Sequence, residues 1–251
     1  MSKPAHIDPI EWQARCDLAA LYRLIAHFRM TDLIDTHITL RIPGPEHHFL
    51  INRYGVLFDR MRASDLVRID QDGRIVDPEY AGHRVNAAGF VIHSAIHMAR
   101  PDLNCVIHTH TAAGMAVAAQ KQGLLPISQH ALKFYGKLAY HTYEGIALSL
   151  DERDRLIADL GPHRAMILRN HGLLVGGSSV AQAFQEIHFL ERACQAQVQA
   201  LAGGCELHFP SPEVCAHTAE QFDRDEQDNI IDLAWEAALT LIESQRESYL
   251  S

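Results

Sequence analysis

The sequence lacks the features of a membrane, secreted or nucleic-acid-binding protein. No apolar run approaches the roughly 20 residues that a membrane-spanning helix needs, and the first twelve residues contain no apolar signal-peptide core. The 22 basic residues are outnumbered by 31 acidic ones, which gives a formal net charge of −9. Such a chain has no evident basic face for phosphates or for an anionic membrane. We therefore expect a cytoplasmic protein that binds neither nucleic acid nor membrane.

Cysteine is scarce and its spacing is uninformative. The five cysteines are odd in number, lie far apart and form no C-x-x-C pair. This pattern argues against a disulfide framework and against a thiolate zinc site, and it agrees with a reducing compartment.

Apolar periodicity predicts helices that alternate with short strands. The predicted helices cover residues 10–28, 86–99, 112–119, 151–160, 180–202 and much of 213–248. The predicted strands cover residues 33–42, 48–52, 66–69, 74–76, 104–110, 138–143, 165–168 and 173–175. Because several strands are joined as hairpins and helices lie between them, we predict an α/β fold. Its three α/β/α layers have a central, mostly antiparallel sheet.

His108 and His110 form an H-x-H pair at the end of a predicted strand. Side chains at i and i+2 of a strand lie on one face, about 6.5–7 Å apart, so two imidazoles can converge on one metal ion. His171 lies in a turn between two further strands and could supply a third ligand. Three protein ligands leave coordination positions open, as in catalytic metal sites. With 17 histidines in the chain, an H-x-H pair also arises by chance, so spacing alone leaves both interpretations open.

The segments around these histidines resemble those of a known family. Residues 99–110, ARPDLNCVIHTH, are similar to the ARPD-x-x-x-V-x-H-x-H segment of the class II aldolase/adducin family. Residues 169–172, RNHG, resemble its metal-ligand turn. Residues 89–96, 123–128 and 140–145 agree as well, and the chain resembles the adducin head domain and its bacterial relatives more than the sugar-phosphate aldolases.

The resemblance, which covers roughly residues 10–203, implies a fold, a metal and an assembly. It implies an α/β/α domain, commonly a fourfold-symmetric homotetramer, with His108, His110 and His171 as ligands of one divalent metal ion. In the family's enzymes this ion is a Lewis acid that stabilises an enediolate. Zinc is the first expectation for three imidazoles, with manganese, iron or cobalt as alternatives. We interpret residues 1–204 as the metal-binding domain and 205–251 as a helical extension of it.

The chain departs from the sugar-phosphate aldolases of this family at their acid/base and phosphate sites. Their acid/base glutamate falls on Gly89, and two phosphate-binding serines fall on Ala87 and Ala88. Their GN-x-S phosphate loop becomes residues 36–39, THIT. The chain thus keeps the metal ligands but loses the base and the phosphate site. We expect a small, oxygen-rich substrate that is not phosphorylated.

Three functions follow as alternatives. The first is a metal-dependent lyase that cleaves C–C bonds of a hydroxy-carbonyl compound or a carboxylic acid, by aldol cleavage or decarboxylation. The second is an iron-dependent oxygenase of the same family, and the third is a non-enzymatic, self-associating scaffold like the adducin head domain.

Other side chains are candidates for acid/base catalysis and for substrate binding. A tyrosine or histidine can move a proton near neutral pH, and an arginine can bind a substrate carboxylate. The predicted catalytic residues are Tyr140, His141 and Tyr143. The predicted substrate-binding residues are His37, Arg53, Gly55 and Arg84. Packing of the tyrosines at a strand edge and surface positions for the arginines are the alternatives.

A second histidine pair, His93 and His97, lies at i and i+4 of a predicted helix. This spacing can hold a metal ion, but Ser94 stands where an H-E-x-x-H motif requires glutamate. We therefore interpret these two histidines as packing residues.

Overall fold

The computed structural model describes residues 7–44, 47–145, 152–227 and 229–251. The helices are α1 (Pro9–His27), α2 (Ala87–Ala99), α3 (Ala112–Ala118), α4 (Gln129–Leu132), α5 (Glu152–Leu160), α6 (Val180–Ala202), α7 (Pro212–Gln227), α8 (Ile230–Thr240) and α9 (Arg246–Tyr249). The strands are β1 (His37–Arg41), β2 (Phe49–Asn52), β3 (Leu66–Ile69), β4 (Cys105–Thr109), β5 (Leu138–His141), β6 (Ala165–Leu168) and β7 (Gly172–Gly177). Residue 151, where a predicted helix begins, lies outside the described ranges.

The strands form one sheet in the order β3-β2-β1-β4-β7-β6-β5. Neighbouring strands are antiparallel except β5 and β6, which are parallel. Helices α1, α3 and α6 pack on one face of the sheet, and α2 and α5 pack on the other. The predicted three-layer fold with a mostly antiparallel sheet is therefore confirmed.

Alternation along the strands sends two kinds of side chain to the two faces. On β1 and β4, Ile38 and Ile107 belong to the larger apolar core beneath α1 and α6. The intervening His37 pairs with His108 across the two strands, and Thr39 contacts histidines of α2. Because successive strand residues point to opposite faces, the α2 side of the sheet carries a row of polar side chains.

The first predicted strand is shorter than expected. It begins at His37 and not at residue 33, because Leu33 has a positive φ of 45° and the Asp35 amide donates to the Asp32 carbonyl in a turn. The predicted hairpin at residues 66–76 is reduced to β3 and a single bridge between Ile69 and Ile75. The turn before β1 matters for function, since it places two aspartates at the strand end next to His37.

The C-terminal helices return to the domain that precedes them. Helix α8 packs on α6, α7 on α4 and α9 on α1, while Ile242 and Tyr249 are buried in the larger core. The carbonyl oxygen of Ser251 accepts hydrogen bonds from the amide and hydroxyl of Ser64. Within the described ranges, no helix has the length and apolar character to cross a bilayer.

Candidate metal centre

His108, His110 and His171 meet at the end of β4. One ring nitrogen from each lies within 4.8 Å of the others, and the ring centroids are 4.5–4.9 Å apart. His108 is fully buried and the other two are partly buried. We call these three histidines the metal centre, because three convergent imidazoles are a common ligand set for a transition metal.

The turn between β6 and β7 delivers His171 to this position. Asn170 has a left-handed φ of 56°, which asparagine tolerates better than most residues, and its amide donates to the Ala118 carbonyl. Gly172 lies so close to β4 that a Cβ there would collide with the Thr109 carbonyl oxygen. The close approach of the turn to β4 therefore requires glycine after His171.

Hydrogen bonds fix which nitrogen of His108 and His110 faces the centre. Nδ1 of His108 donates to the Leu173 carbonyl oxygen at 2.9 Å, and Nδ1 of His110 donates to the Asp32 carboxylate at 3.1 Å. When both rings are neutral, each has one N–H, so both Nε2 atoms, which lie 2.7 Å apart, carry lone pairs. Two lone pairs cannot satisfy each other, whereas a cation satisfies both. The donor set fits a metal ion, with the outer partners that metal-ligating histidines use.

Burial keeps the imidazoles of His108 and His171 neutral. It lowers the pKa of His108 well below its usual value, with further lowering from His37, His171 and His110. Burial, and then His110, lower the pKa of His171 to about 4. Neutral imidazole is the form that binds metal, so these two ligands are in their binding form at neutral pH without first losing a proton.

The metal centre opens into a cleft of about 460 Å³. Its other lining residues are Asp32, Asp35, His37, Tyr54, Asn86, Gly89, Ile92, Met115, Tyr143, Gly145 and Asn170. Tyr54 donates to the Asp35 carboxylate at 3.0 Å. The cleft is thus large enough for a small molecule and carries two carboxylates beside the histidines.

The structure brings one of the three predicted catalytic residues to the cleft. Tyr143 lines it, half-exposed, with its ring centroid 6.2 Å from that of His171. Tyr140 points elsewhere: its hydroxyl accepts from the Leu124 amide, and its ring stacks on Arg169.

His141, the third predicted catalytic residue, is buried outside the cleft lining. Its Nδ1 lies 2.7 Å from the Asp159 carboxylate and its Nε2 lies 3.4 Å from Glu152, both on α5. These contacts hold the ring between β5 and α5, because alternation along β5 directs it to that face.

Of the predicted substrate-binding residues, His37 lines the cleft and three others do not. Arg53 is exposed and lies 4.0 Å from Asp65, and Gly55 occupies an exposed turn with a φ of 94°. Arg84 is exposed beside the cleft, where its carbonyl oxygen accepts from the amide of Tyr54.

Sequence reasoning did not identify Asp32, Asp35 or Tyr54 as cleft residues. Asp32 is separated from His110 by 78 positions, and the segment after it has the alternation of a strand, which hides the turn. The available signal was the two aspartates of the segment TDLIDTHITL, whose other residues are threonine, histidine, leucine and isoleucine.

Comparison with known proteins agrees with this geometry. The family described as "Class II Aldolase and Adducin N-terminal domain" matches residues 16–198. An aldolase II superfamily protein from Pseudomonas syringae is 53% identical, with a TM-score of 0.94 and 98% of both chains covered. An L-fuculose 1-phosphate aldolase from Glaciozyma antarctica is 28% identical, with a TM-score of 0.83 over 98% of this chain and 96% of the other. Rat alpha-adducin is 49% identical over 189 residues, which are 75% of this chain and 26% of alpha-adducin.

Proposed function

The chain belongs to the class II aldolase and adducin family, and on that premise we propose that it is a metal-dependent lyase. It cleaves carbon–carbon bonds of a small, non-phosphorylated hydroxy-carbonyl compound or carboxylic acid. The observation that carries this proposal is the convergence of three histidine nitrogens at the cleft. We further propose a cytoplasmic homotetramer, in keeping with the resemblance.

The residues of the metal centre would hold one divalent ion, with zinc as the first expectation for imidazole ligands. When bound, the ion supplies Lewis-acid stabilisation of negative charge that develops on a substrate oxygen. The protein's own part is positioning: the Leu173 carbonyl and the Asp32 carboxylate each hold one imidazole by its Nδ1–H. Ligands on a strand end and a tight turn need little rearrangement to bind the ion.

Charge in the cleft favours a substrate without phosphate. Asp32 and Asp35 both line it, and two carboxylates disfavour a phosphate dianion more strongly than a singly charged carboxylate or a neutral hydroxy-carbonyl group. Residues 87 and 88, on which two phosphate-binding serines of the sugar-phosphate aldolases fall, are alanines and have no hydroxyl group. Tyr143 is the side chain we propose as proton donor to the leaving group, since it is half-exposed beside His171.

A self-associating scaffold is the second candidate, because the match to alpha-adducin, at 49% identity, covers three quarters of this chain. The two functions differ in what they require of the cleft. A lyase needs a bound metal ion for turnover, whereas a scaffold has no use for lone pairs aimed at a common point.

Metal analysis of the purified chain separates these functions. We expect about one divalent ion per chain, lost in His110→Ala and kept in His217→Ala, whose histidine is exposed on α7. The native protein is then screened against 2-oxo, 3-oxo and aromatic carboxylic acids and hydroxy-aldehydes, with CO₂ release, aldehyde release and O₂ uptake as readouts. A metal-free, folded native chain supports the scaffold, O₂ uptake supports the oxygenase, and a His110→Ala variant that keeps metal refutes the ligand assignment.

A further inference from the structure

His37 is a buried imidazole whose nitrogens have nothing to bind in the described part of the chain. It is 3% exposed, and neither Nδ1 nor Nε2 has a hydrogen-bond partner there. Buried side-chain nitrogens are nearly always partnered in folded proteins. Because His37 also lines the cleft of the metal centre, the natural partner for one of its nitrogens is a bound molecule.

The Nε2 end of this ring takes the space in which a side chain of residue 89 would lie. A Cβ built on Gly89 would be 2.5 Å from Nε2, Cδ2 and Cε1 of His37. A glutamate at position 89 and an imidazole at position 37 therefore exclude each other. In this chain the Nε2 end of the His37 ring fills the space beside Gly89, from which the resemblance would project the acid/base glutamate.

Next to His37, a chain of hydrogen bonds links Thr39 of β1 to two histidines of α2, and the donor and acceptor of each bond can be assigned. His97 Nδ1 lies 3.0 Å from the Leu103 carbonyl oxygen, which can only accept, so Nδ1 carries the proton. His97 Nε2 must then accept from the Thr39 hydroxyl, at 2.8 Å. That hydroxyl has one proton, so its oxygen accepts from His93 Nδ1 at 2.7 Å.

This assignment of donors and acceptors leaves the His93 Nε2 atom with a bare lone pair. The atom is buried and has no partner within the described ranges. The rings stay neutral, because burial lowers the pKa of His97 to about 3 and that of His93 well below its usual value. The adjoining imidazole is His37, whose ring centroid is 4.3 Å from that of His93 and 5.2 Å from that of His108.

We propose that His37 contacts the substrate, with Nε2 accepting a hydrogen bond from a substrate hydroxyl. His93, Thr39 and His97 are positioning residues: the bare lone pair of His93 Nε2 lies beside the His37 ring without a direct hydrogen bond to it, and it favours the tautomer of His37 that has its proton on Nδ1 and its lone pair on Nε2. The inference deepens the proposed function and rests on it, because the hydroxyl must belong to a molecule held at the metal centre.

Two hydroxamic acids test the contact on the zinc-loaded, full-length chain. Glycolohydroxamic and acetohydroxamic acid both chelate zinc, but only the first has a hydroxyl beside the chelating group. We expect calorimetry to show about tenfold tighter binding of glycolohydroxamic acid, the value of one good hydrogen bond. His37→Phe should abolish this preference while its zinc content stays at the native level; a preference that survives in His37→Phe overturns the contact.

The positioning chain is tested with Thr39→Val, which removes the hydroxyl at nearly constant volume, and Thr39→Ser, which keeps it. ¹⁵N NMR of the native protein and of Thr39→Ser should show His93 protonated at Nδ1 and bare at Nε2. Thr39→Val should change this signature and reduce the preference for glycolohydroxamic acid, with zinc content unchanged. A native His93 protonated at Nε2, or a full preference in Thr39→Val, overturns the positioning role.

The outcomes separate this inference from the proposed function. A native chain that binds no divalent metal ion, neither zinc nor manganese, iron or cobalt, refutes the proposed function and the contact together. Zinc binding without a preference between the two probes refutes only the role of His37.

Discussion

This protein contains two groups of histidines whose imidazole nitrogens have different hydrogen-bond partners. In the metal centre, His108 and His110 use Nδ1 for the Leu173 carbonyl and the Asp32 carboxylate, and their Nε2 atoms face each other 2.7 Å apart. In the α2 pair, His93 and His97, the rings share the Thr39 hydroxyl.

This difference separates a candidate metal ligand from a packing histidine by its hydrogen-bond partners. Both groups have a spacing that can bind metal, i and i+2 on a strand or i and i+4 on a helix. The histidines of the α2 pair are not in the metal-ligand cluster found among the described residues. The groups differ in two respects. In the metal centre, Nδ1 of His108 and of His110 has a partner outside the site, and the Nε2 atoms converge on one point; in the α2 pair, one nitrogen of each ring contacts the Thr39 hydroxyl instead.

The largest expected effects are opposite in the two groups: a variant of the α2 pair should lose stability but not zinc affinity, and a variant of the metal centre should lose zinc affinity with a smaller loss of stability. His97→Ala removes hydrogen bonds to Thr39 and Leu103 and a ring stacked on Phe49, so it should lower the free energy of unfolding by about 3 kcal/mol. Its zinc affinity should stay near native. His171→Ala should weaken zinc binding by at least about 100-fold and cost less stability, because this side chain is only partly buried.

Denaturant unfolding of the metal-free proteins and competition with a chelator measure the two effects. The two groups of histidines do not have different roles if His97→Ala loses zinc, or if His171→Ala binds zinc as the native chain does.

A smaller effect is expected from the carboxylate behind the metal centre. Asp32→Asn should lower zinc affinity by about 10- to 100-fold, because the carboxylate holds His110 by its Nδ1–H. Asp35→Asn is the matched control: it removes a charge from the same cleft, but Asp35 bonds Tyr54 and no histidine of the metal centre. Equal losses in both variants would show that Asp32 acts only through cleft charge.

The smallest expected effect is on the pH dependence of stability, and it arises from the α2 pair. Burial lowers the pKa of His97 from 6.5 to about 3 in the folded chain, so between these values only the unfolded chain binds the proton. The free energy of unfolding is therefore not reduced by His97 above pH 6.5, and it falls progressively as pH falls from 6.5 toward 3. His97→Gln should therefore reduce the slope of unfolding free energy against pH by about 1.4 kcal/mol per pH unit.

Unfolding of the metal-free protein at pH values from 4 to 6 gives this slope. His217→Gln, at an exposed position on α7, should keep the native slope. An unchanged slope in His97→Gln would show that this histidine is not held neutral by burial.

Local pattern was enough for the strands that carry the metal centre. The apolar run before His108 predicts β4, and the two short runs around residues 169–172 predict β6 and β7, as the structure has them. Which side chains enter the cleft was less accessible, because Tyr140 and His141 precede Tyr143 by only a few residues. The first packs on Arg169 and the second is held against α5, because alternation along β5 sends their side chains to opposite faces of the sheet.

The turn before β1 shows the limit of pattern most clearly. Ile34 and Thr36 continue the alternation of β1, so a strand is the reasonable prediction from the residues alone. In the folded chain a positive φ at Leu33 and a turn at Asp32 interrupt it. Asp32 acquires a role only through His110, a partner 78 positions away.

From the sequence by itself it follows that His108 and His110 lie at the end of a strand, that His171 lies in a turn and that the architecture is layered, because apolar periodicity and local motifs are properties of neighbouring residues. Tertiary structure alone decided which nitrogens carry protons, which aspartate supports a ligand, and that the imidazole of His37 takes the space beside Gly89. Those outcomes depend on contacts between segments distant in the chain, where one hydrogen bond or the absence of one Cβ sets the chemistry of the cleft.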